Sequence, residues 1–422
     1  MKELMNKLKM EVPFHIVKRD NIVRWKSYLI RIIAGVLALL VCAILNVIVT
    51  KDFGGFFQSL FTGIFGTERR IWIFLQNTAM LLCVALAVTP AFKMKFWNIG
   101  AEGQVLMGGL ACAACMKMIG DKIPNGALII VMLICSIGAG MIWAVIPAIF
   151  KAKWGTNETL FTLMMNYVAM HFVMFCVYSW DKSNRGNLGI LPDGHLPSIA
   201  GQQYLINIII VTIVTLLVFI YLRFSKHGYE LSVVGESVNT AKYIGINVKK
   251  VIVRTMLVSG AICGISGFLL VAGTGHTIAT STAGGRGFTA IMVSWLAHFN
   301  PLSMVLTSFL VVFFQQGAGQ IVTDFRLGNN AYADIITGLF FFFIIGCEFF
   351  LNYRIVFTKP LKKHKQTDEA EEPDISEDLG DTDNTNEPLA TENTDESSVS
   401  EKIADSDNGI FADTTEAEEV IE

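Results

Sequence analysis

The chain has 422 residues, 53% of them hydrophobic and only 16% charged, with a mean hydropathy of +0.51. This excludes an ordinary soluble domain; repeated apolar runs of about 20 residues call for helices that cross a bilayer, and the lack of strict period-2 alternation argues against a β-barrel. Charge is divided: residues 366–422 hold 21 acidic residues against Lys402 alone, a net of −20 in a chain of −3, which leaves +17 on residues 1–365.

The expected fold class is all-α: a polytopic membrane protein with about ten membrane segments, one of them broken or re-entrant, and a disordered acidic C-terminal tail. Residues 1–27 form a basic cytoplasmic leader with Lys2, Lys7, Lys9, Lys18, Arg19, Arg24 and Lys26, and no small-residue cleavage site follows it. The membrane domain spans 28–351. Its segments are expected at 28–50, 71–91, 96–118, 126–150, 158–180, 203–222, 251–274, 286–300, 302–320 and 332–351. Asn300-Pro301 separates the eighth from the ninth, so the eighth reads as half-length or re-entrant. Phe53–Phe65 is too short to span and reads as interfacial. Pro90 and Pro147 are expected to end their helices. The bias of Lys and Arg toward alternate loops places both termini in the cytoplasm of a cell-membrane protein.

The outer loop 181–202, rich in Asn, Gly, Asp and Pro, reads as irregular and open to an extracellular partner. The tail 366–422 has no apolar periodicity and cannot bury enough surface to offset its ordering entropy. It is either a solvated appendage or a regulatory element. All eight cysteines fall in apolar runs and read as small buried hydrophobes. Cys112-x-x-Cys115 has metal or redox spacing, but neither a histidine nor a second pair stands nearby.

The most unusual stretch is Asn98-Ile-Gly-Ala-Glu-Gly-Gln104. It places a carboxylate, two carboxamides and two glycines where neighbouring segments are oily. Asn98 and Glu102, four apart, share a face if the stretch is helical. A carboxylate at membrane depth costs roughly 2–4 kcal/mol unless satisfied, so the cluster is either a solute site or a polar joint between helices. Glu102 itself has three readings: it anchors a neighbouring helix, contacts cargo, or carries protons. His171 and His298 read as helix–helix hydrogen-bonding groups, and Arg286 as an outer residue that snorkels.

The longest inside loop, 225–250, carries a second signal. Ser237 can cap a short helix through Lys242, with Gly245 as its stop. A plain linker needs no such helix, so this segment either docks a cytoplasmic partner or lies on the bilayer surface.

Taken together, these stretches resemble the permeases of bacterial ABC importers for branched-chain amino acids, simple sugars and nucleosides. Gly235-Glu236, Ala241, Tyr243 and Gly245-Ile246 match the family's ATPase-docking loop, while Ser232, Ser237 and Thr240 depart from it. Phe96-Trp97-Asn98-Ile-Gly-Ala-Glu-Gly-Gln104 is similar to the family's Phe-Asn-Ile-Gly-x-Glu-Gly-Gln signature, with Trp97 inserted. Asn157-Glu158 through Asn166-Tyr167, and Gly284-Gly285-Arg286-Gly287-Phe288-Thr289-Ala290-Ile291 followed by Asn300-Pro301, are similar to two further family segments. The resemblance covers about residues 28–350 and is nearest the nucleoside and simple-sugar branch.

It implies a substrate pathway using Asn98, Glu102, Gln104, Thr162, Asn166 and Tyr167, and a docking loop using Gly235, Glu236, Ser237, Ala241, Tyr243, Gly245 and Ile246. Amides and hydroxyls suit neutral cargo rich in hydroxyls and ring nitrogens. The implied partners are a cytoplasmic ABC ATPase, a second permease or second copy of this chain, an extracytoplasmic solute-binding protein and the bilayer, with no nucleic acid. No Gly-x-x-x-x-Gly-Lys-Ser/Thr occurs, so this chain is expected to be a transport subunit and not an enzyme. It is expected to hold no cofactor, with ATP and magnesium bound by the partner. Two other classes remain open from the residues alone: a stand-alone secondary transporter coupled to protons through Glu102, and a scaffold whose acidic tail is the working part.

Overall fold

A computed structural model describes residues 14–18, 24–181, 186–199, 201–328 and 331–357. The acidic tail and most of the leader lie outside the described residues. Thirteen α-helices follow one another in this part of the chain. They are α1 (Arg24–Thr50), α2 (Phe53–Phe65), α3 (Glu68–Lys93), α4 (Ala101–Ile119), α5 (Asn125–Trp154), α6 (Glu158–Trp180), α7 (Leu205–Phe224), α8 (Lys226–Glu236), α9 (Val238–Tyr243), α10 (Val248–Leu270), α11 (Arg286–Leu296), α12 (Pro301–Asp324) and α13 (Ala331–Asn352). Among the described residues nine helices are long and apolar enough to cross a membrane, and α11, with 11 residues, is not one of them. The expected eighth segment is therefore a half-helix.

Helix starts follow side-chain chemistry. Thr67, Asn157, Asn247 and Asn300 each accept a backbone N–H two or three residues on, which supplies a partner to donors the first turn leaves free. Helix ends are less legible. Pro90 and Pro147 do not stop their helices; α3 continues to Lys93 and α5 to Trp154, with both prolines buried inside. Buried between neighbouring helices, a proline in an apolar span is tolerated.

The centre is built from α3, α4 and α10, whose apolar windows are 72%, 67% and 78% buried, against 22–33% for α1, α5, α6, α7 and α13. Close approach comes from glycine: a Cβ on Gly264 of α10 would run into the Ser136 carbonyl of α5, so these backbones touch. The outer helices turn Ile130, Ile134, Phe172 and Phe175 outward, as helices bathed in hydrocarbon do. α2 does not lie free. It buries Phe56, Leu60 and Ile64, and Gln316 of α12 donates to its Gly63 carbonyl at 3.3 Å; Phe53, Phe61 and Phe65 stay exposed.

A small departure from an all-α fold ties the ends together. β1 (Phe14–Lys18) pairs antiparallel with β2 (Tyr353–Phe357), Ile16 opposite Ile355. The segments before α1 and after α13 therefore lie on the same side of the helix bundle. Arg31 of α1 pairs with Glu348 of α13 at 3.1 Å.

Candidate functional site

The expected polar stretch is a joint where the start of α4 meets the start of the half-helix α11. α3 ends at Lys93; Lys95 adopts φ 60° and the chain runs without helix through Asn98 before α4 begins at Ala101. Asn98 thus precedes the helix and does not share a helical face with Glu102. Its Oδ1 instead accepts from the Gly100 N–H at 3.0 Å and the Gln104 amide at 3.3 Å, and its Nδ2 donates to Ser259 of α10 at 3.3 Å. Ser259 lies well inside α10, so this break sits within the bundle.

α6 closes the joint from the side. The Thr162 hydroxyl accepts from the Ile99 N–H at 3.2 Å. The Asn166 carboxamide accepts from the Gly103 N–H at 2.8 Å and donates to the Ile99 carbonyl at 2.9 Å. Asn166 caps α4 from another helix, supplying the partner that Gly100, with no side chain, cannot.

Glu102 closes it from the front. One carboxylate oxygen accepts from the Gly285 N–H and the other from the Gly287 N–H, both at 2.7 Å. Gly285 has φ 72°, a left-handed turn into α11 that glycine permits. The carboxylate therefore lies between its own helix start and that of α11, where two positive dipole ends converge. Both carboxylate oxygens of Glu102 thus hold the backbone that enters α11.

The segment leading to Gly285 is itself held. A π-helical turn, Val271–Gly275, ends α10, and the outer loop folds back on it: Leu188 and Leu191 donate to the carbonyls of Ile278 and His276 at 3.0 and 2.9 Å. The described part of this loop is thus tied inward at Leu188 and Leu191, while Ile190, Pro192 and residues 197–199 stay exposed, as an irregular, open loop requires.

The residues expected to form the pathway divide. Asn98, Glu102, Gln104, Thr162 and Asn166 converge on the joint, each no more than 6% exposed. They engage one another and backbone; Gln104 Oε1 alone among their polar side-chain atoms is buried without a partner. Tyr167, next to Asn166, points away and is 50% exposed. His171 is exposed on α6; His298 meets the Arg31 guanidinium at 3.1 Å in the turn after α11. Arg286 does not snorkel outward: half-buried, it donates to Asn77 Oδ1 of α3 at 3.4 Å and to the Ala283 carbonyl at 3.2 Å. Sequence reasoning missed Asp334, which borders with Arg286 a cavity between α3, α11, α12 and α13; its signal was a carboxylate inside an expected span.

The loop 225–250 contains the short helix its sequence calls for. Ser237 caps α9 by accepting from the Thr240 N–H at 3.2 Å, and Gly245, with φ 84°, ends the turn that follows. α8 is packed: a Cβ on Gly235 would run into the Lys93 carbonyl at the end of α3, and Glu230 pairs with Arg254 of α10 at 2.6 Å. Hydrogen bonding to Arg254 holds the Glu230 carboxyl below the usual carboxylate range. Ala241 is buried and Ile246 partly so, whereas Glu236, Val238, Tyr243 and Ile244 are exposed, Tyr243 at 92%.

Comparison with known proteins places this architecture. The chain is 26% identical over 367 residues to a glucose ABC transporter permease protein of Haloferax volcanii, covering 82% of this chain and 94% of the relative. It is 27% identical over 331 residues to a guanosine ABC transporter permease protein of Bacillus subtilis, covering 76% and 94%. A nucleoside ABC transporter permease protein of Lactococcus lactis subsp. cremoris is 26% identical over 332 residues, covering 74% and 88%. Residues 70–345, which contain the joint, the short helices α8 and α9, and α11, match the family described as branched-chain amino acid transport system / permease component, and the chain belongs to that family.

Proposed function

We propose that this chain is the membrane-spanning subunit of an ATP-driven importer that carries a nucleoside into the cell. The observation that carries the ATP-driven part is the two-sided geometry of α8 and α9: Gly235 is seated on the Lys93 carbonyl, while Val238, Tyr243 and Ile244 stay bare. Bare apolar and aromatic side chains on a short capped helix are a protein-docking surface. Our reading gives that surface to a cytoplasmic ATPase, which would hold the nucleotide and magnesium that this chain has no motif to bind. A second permease and an extracytoplasmic solute-binding protein complete the assembly, with both termini cytoplasmic.

The mechanism follows from what α8 touches. A partner shifts a conformational equilibrium only through different affinities for the two states. Movement of α8 bears on Lys93, then on the unwound residues through Asn98, and through Glu102 on the start of α11. The Glu230–Arg254 pair ties the same loop to α10, which holds Asn98 through Ser259. This is a contiguous route of packed backbone and hydrogen bonds between the docking surface and the starts of α4 and α11. A proton-coupled mechanism through Glu102 has less support, since both of its oxygens are occupied by backbone donors.

The nucleoside reading draws on the guanosine and nucleoside relatives, with glucose the competing cargo. The test is purification from native membranes in mild detergent, then ATP-driven uptake of labelled guanosine and glucose into liposomes. An ATPase subunit should accompany the chain and be lost on Glu236→Arg or on deletion of 236–246. Uptake by the chain alone, without any ATPase, would sink this reading.

A further inference from the structure

Beside the joint, and distinct from it, α3, α11, α12 and α13 line a half-open cavity of about 430 Å³, within the roughly 300–1,000 Å³ of small-molecule sites. Its lining includes Asn77, Arg286, Thr289, Gln315, Asp334 and Thr337. Leu81 and Val312 form an apolar wall. All these residues except Arg286, Thr289 and Asp334 lie more than one turn inside their helices. Polar groups at such depth are not tolerated against lipid and mark solute routes or protein contacts.

The two charges are left available. Arg286 bonds only Asn77 and the Ala283 carbonyl, and Asp334 is exposed and makes no ion pair among the described residues. A guanidinium and a carboxylate that share a cavity without pairing present a donor pole and an acceptor pole to whatever enters.

We infer that this cavity is a cargo subsite for an uncharged nucleoside, with Asp334 accepting from N–H or hydroxyl donors and Arg286 donating to carbonyl or ring-nitrogen acceptors. This rests on the permease reading above and deepens it. The amides and the hydroxyls of Thr289 and Thr337 suit a ribose, and the Leu81–Val312 wall suits the flat face of a base. A phosphate would confront Asp334, so the site favours a nucleoside over a nucleotide. Glu102 takes part at one remove. Its carboxylate holds the N–H groups on either side of Arg286, so movement of the joint moves the donor pole of the site.

The test uses the complete transporter in liposomes with labelled guanosine, and 8-azidoguanosine as a photoreactive probe. Asp334→Asn and Arg286→Gln are each expected to lower guanosine uptake about tenfold or more, the size of one charge-assisted hydrogen bond. Asp334→Glu is expected to restore part of it. The probe should label a peptide containing 284–289 or 333–337, in competition with unlabelled guanosine. Arg286→Gln also loses contacts to Asn77 and Ala283, so Asp334→Asn is the deciding variant. Guanosine uptake unchanged by Asp334→Asn, or labelling confined to other peptides, overturns the subsite and leaves the importer standing. Import of glucose without guanosine by the unaltered transporter overturns the nucleoside cargo, and the subsite with it.

Discussion

The two sides of α11 handle polar atoms in opposite ways. At its start, around Glu102, Asn98, Thr162 and Asn166, side chains are buried and nearly every donor and acceptor has a protein partner. On its other flank, Arg286 and Asp334 border a half-open cavity and make no ion pair among the described residues. Both clusters lie in apolar helices, and both would be costly against lipid. The closed one offsets that cost with internal hydrogen bonds and leaves Gln104 Oε1 without a partner; the open one keeps more of its capacity. On the reading proposed above, the conspicuous motif is a structural joint and the inconspicuous residues beside it meet the solute.

The contrast breaks most visibly at Glu102. Glu102→Leu leaves the Gly285 and Gly287 N–H groups buried without an acceptor, a loss of roughly 3–5 kcal/mol. The expected outcome is failure to accumulate as a monodisperse protein in detergent. Glu102→Gln keeps one acceptor oxygen and should fold with a lowered unfolding temperature. Full thermal stability in Glu102→Leu would mean that the joint is not held by this carboxylate. Next in size is Asn166→Ala, which removes the cap on Gly103 and the bond to the Ile99 carbonyl. It should cost about 2–4 kcal/mol, read as a lower unfolding temperature and as faster amide exchange over 99–104. Exchange unchanged there would separate α6 from the joint.

Much of this was legible in the chain. Apolar runs located the helices, because a span must satisfy its backbone internally and so must be long and oily. Ser237 and Gly245 marked α9, because caps are local chemistry. A break was legible between the expected segments 71–91 and 96–118, but its extension through Gly100 was not. Asn98 and Glu102 have helical spacing, and what unwinds the chain between them is tertiary: Ser259 and Asn166 are 161 and 68 residues away in sequence from Asn98. Pro90 and Pro147 misled for the same reason, since burial among neighbouring helices overrides the local cost of a proline. The pairing of β1 with β2 joins residues more than 300 positions apart and leaves no local pattern. Arg286 was read as snorkelling from its position alone, because Asn77, its partner, lies in another helix.

Tyr167 gives the finest discrimination. It adjoins Asn166 in sequence, but a helix turns neighbouring side chains by about 100°, so the amide faces the joint while the ring faces outward at 50% exposure. Within a single chain, Tyr167→Ala should change stability by no more than about 0.5 kcal/mol, as for surface positions without special contacts. The ring lies on the same exposed face as Leu160, Met164, Phe172 and Phe175, a surface open to lipid or, in the assembly proposed above, to a second permease. Measuring unfolding temperature and permease stoichiometry together separates these cases. An unchanged unfolding temperature with unchanged stoichiometry leaves the face to lipid. An unchanged unfolding temperature with a lost second permease makes Tyr167 an assembly residue. A large loss of stability in the isolated chain would show that the joint extends past Asn166, contrary to the separation between buried amide and outward ring.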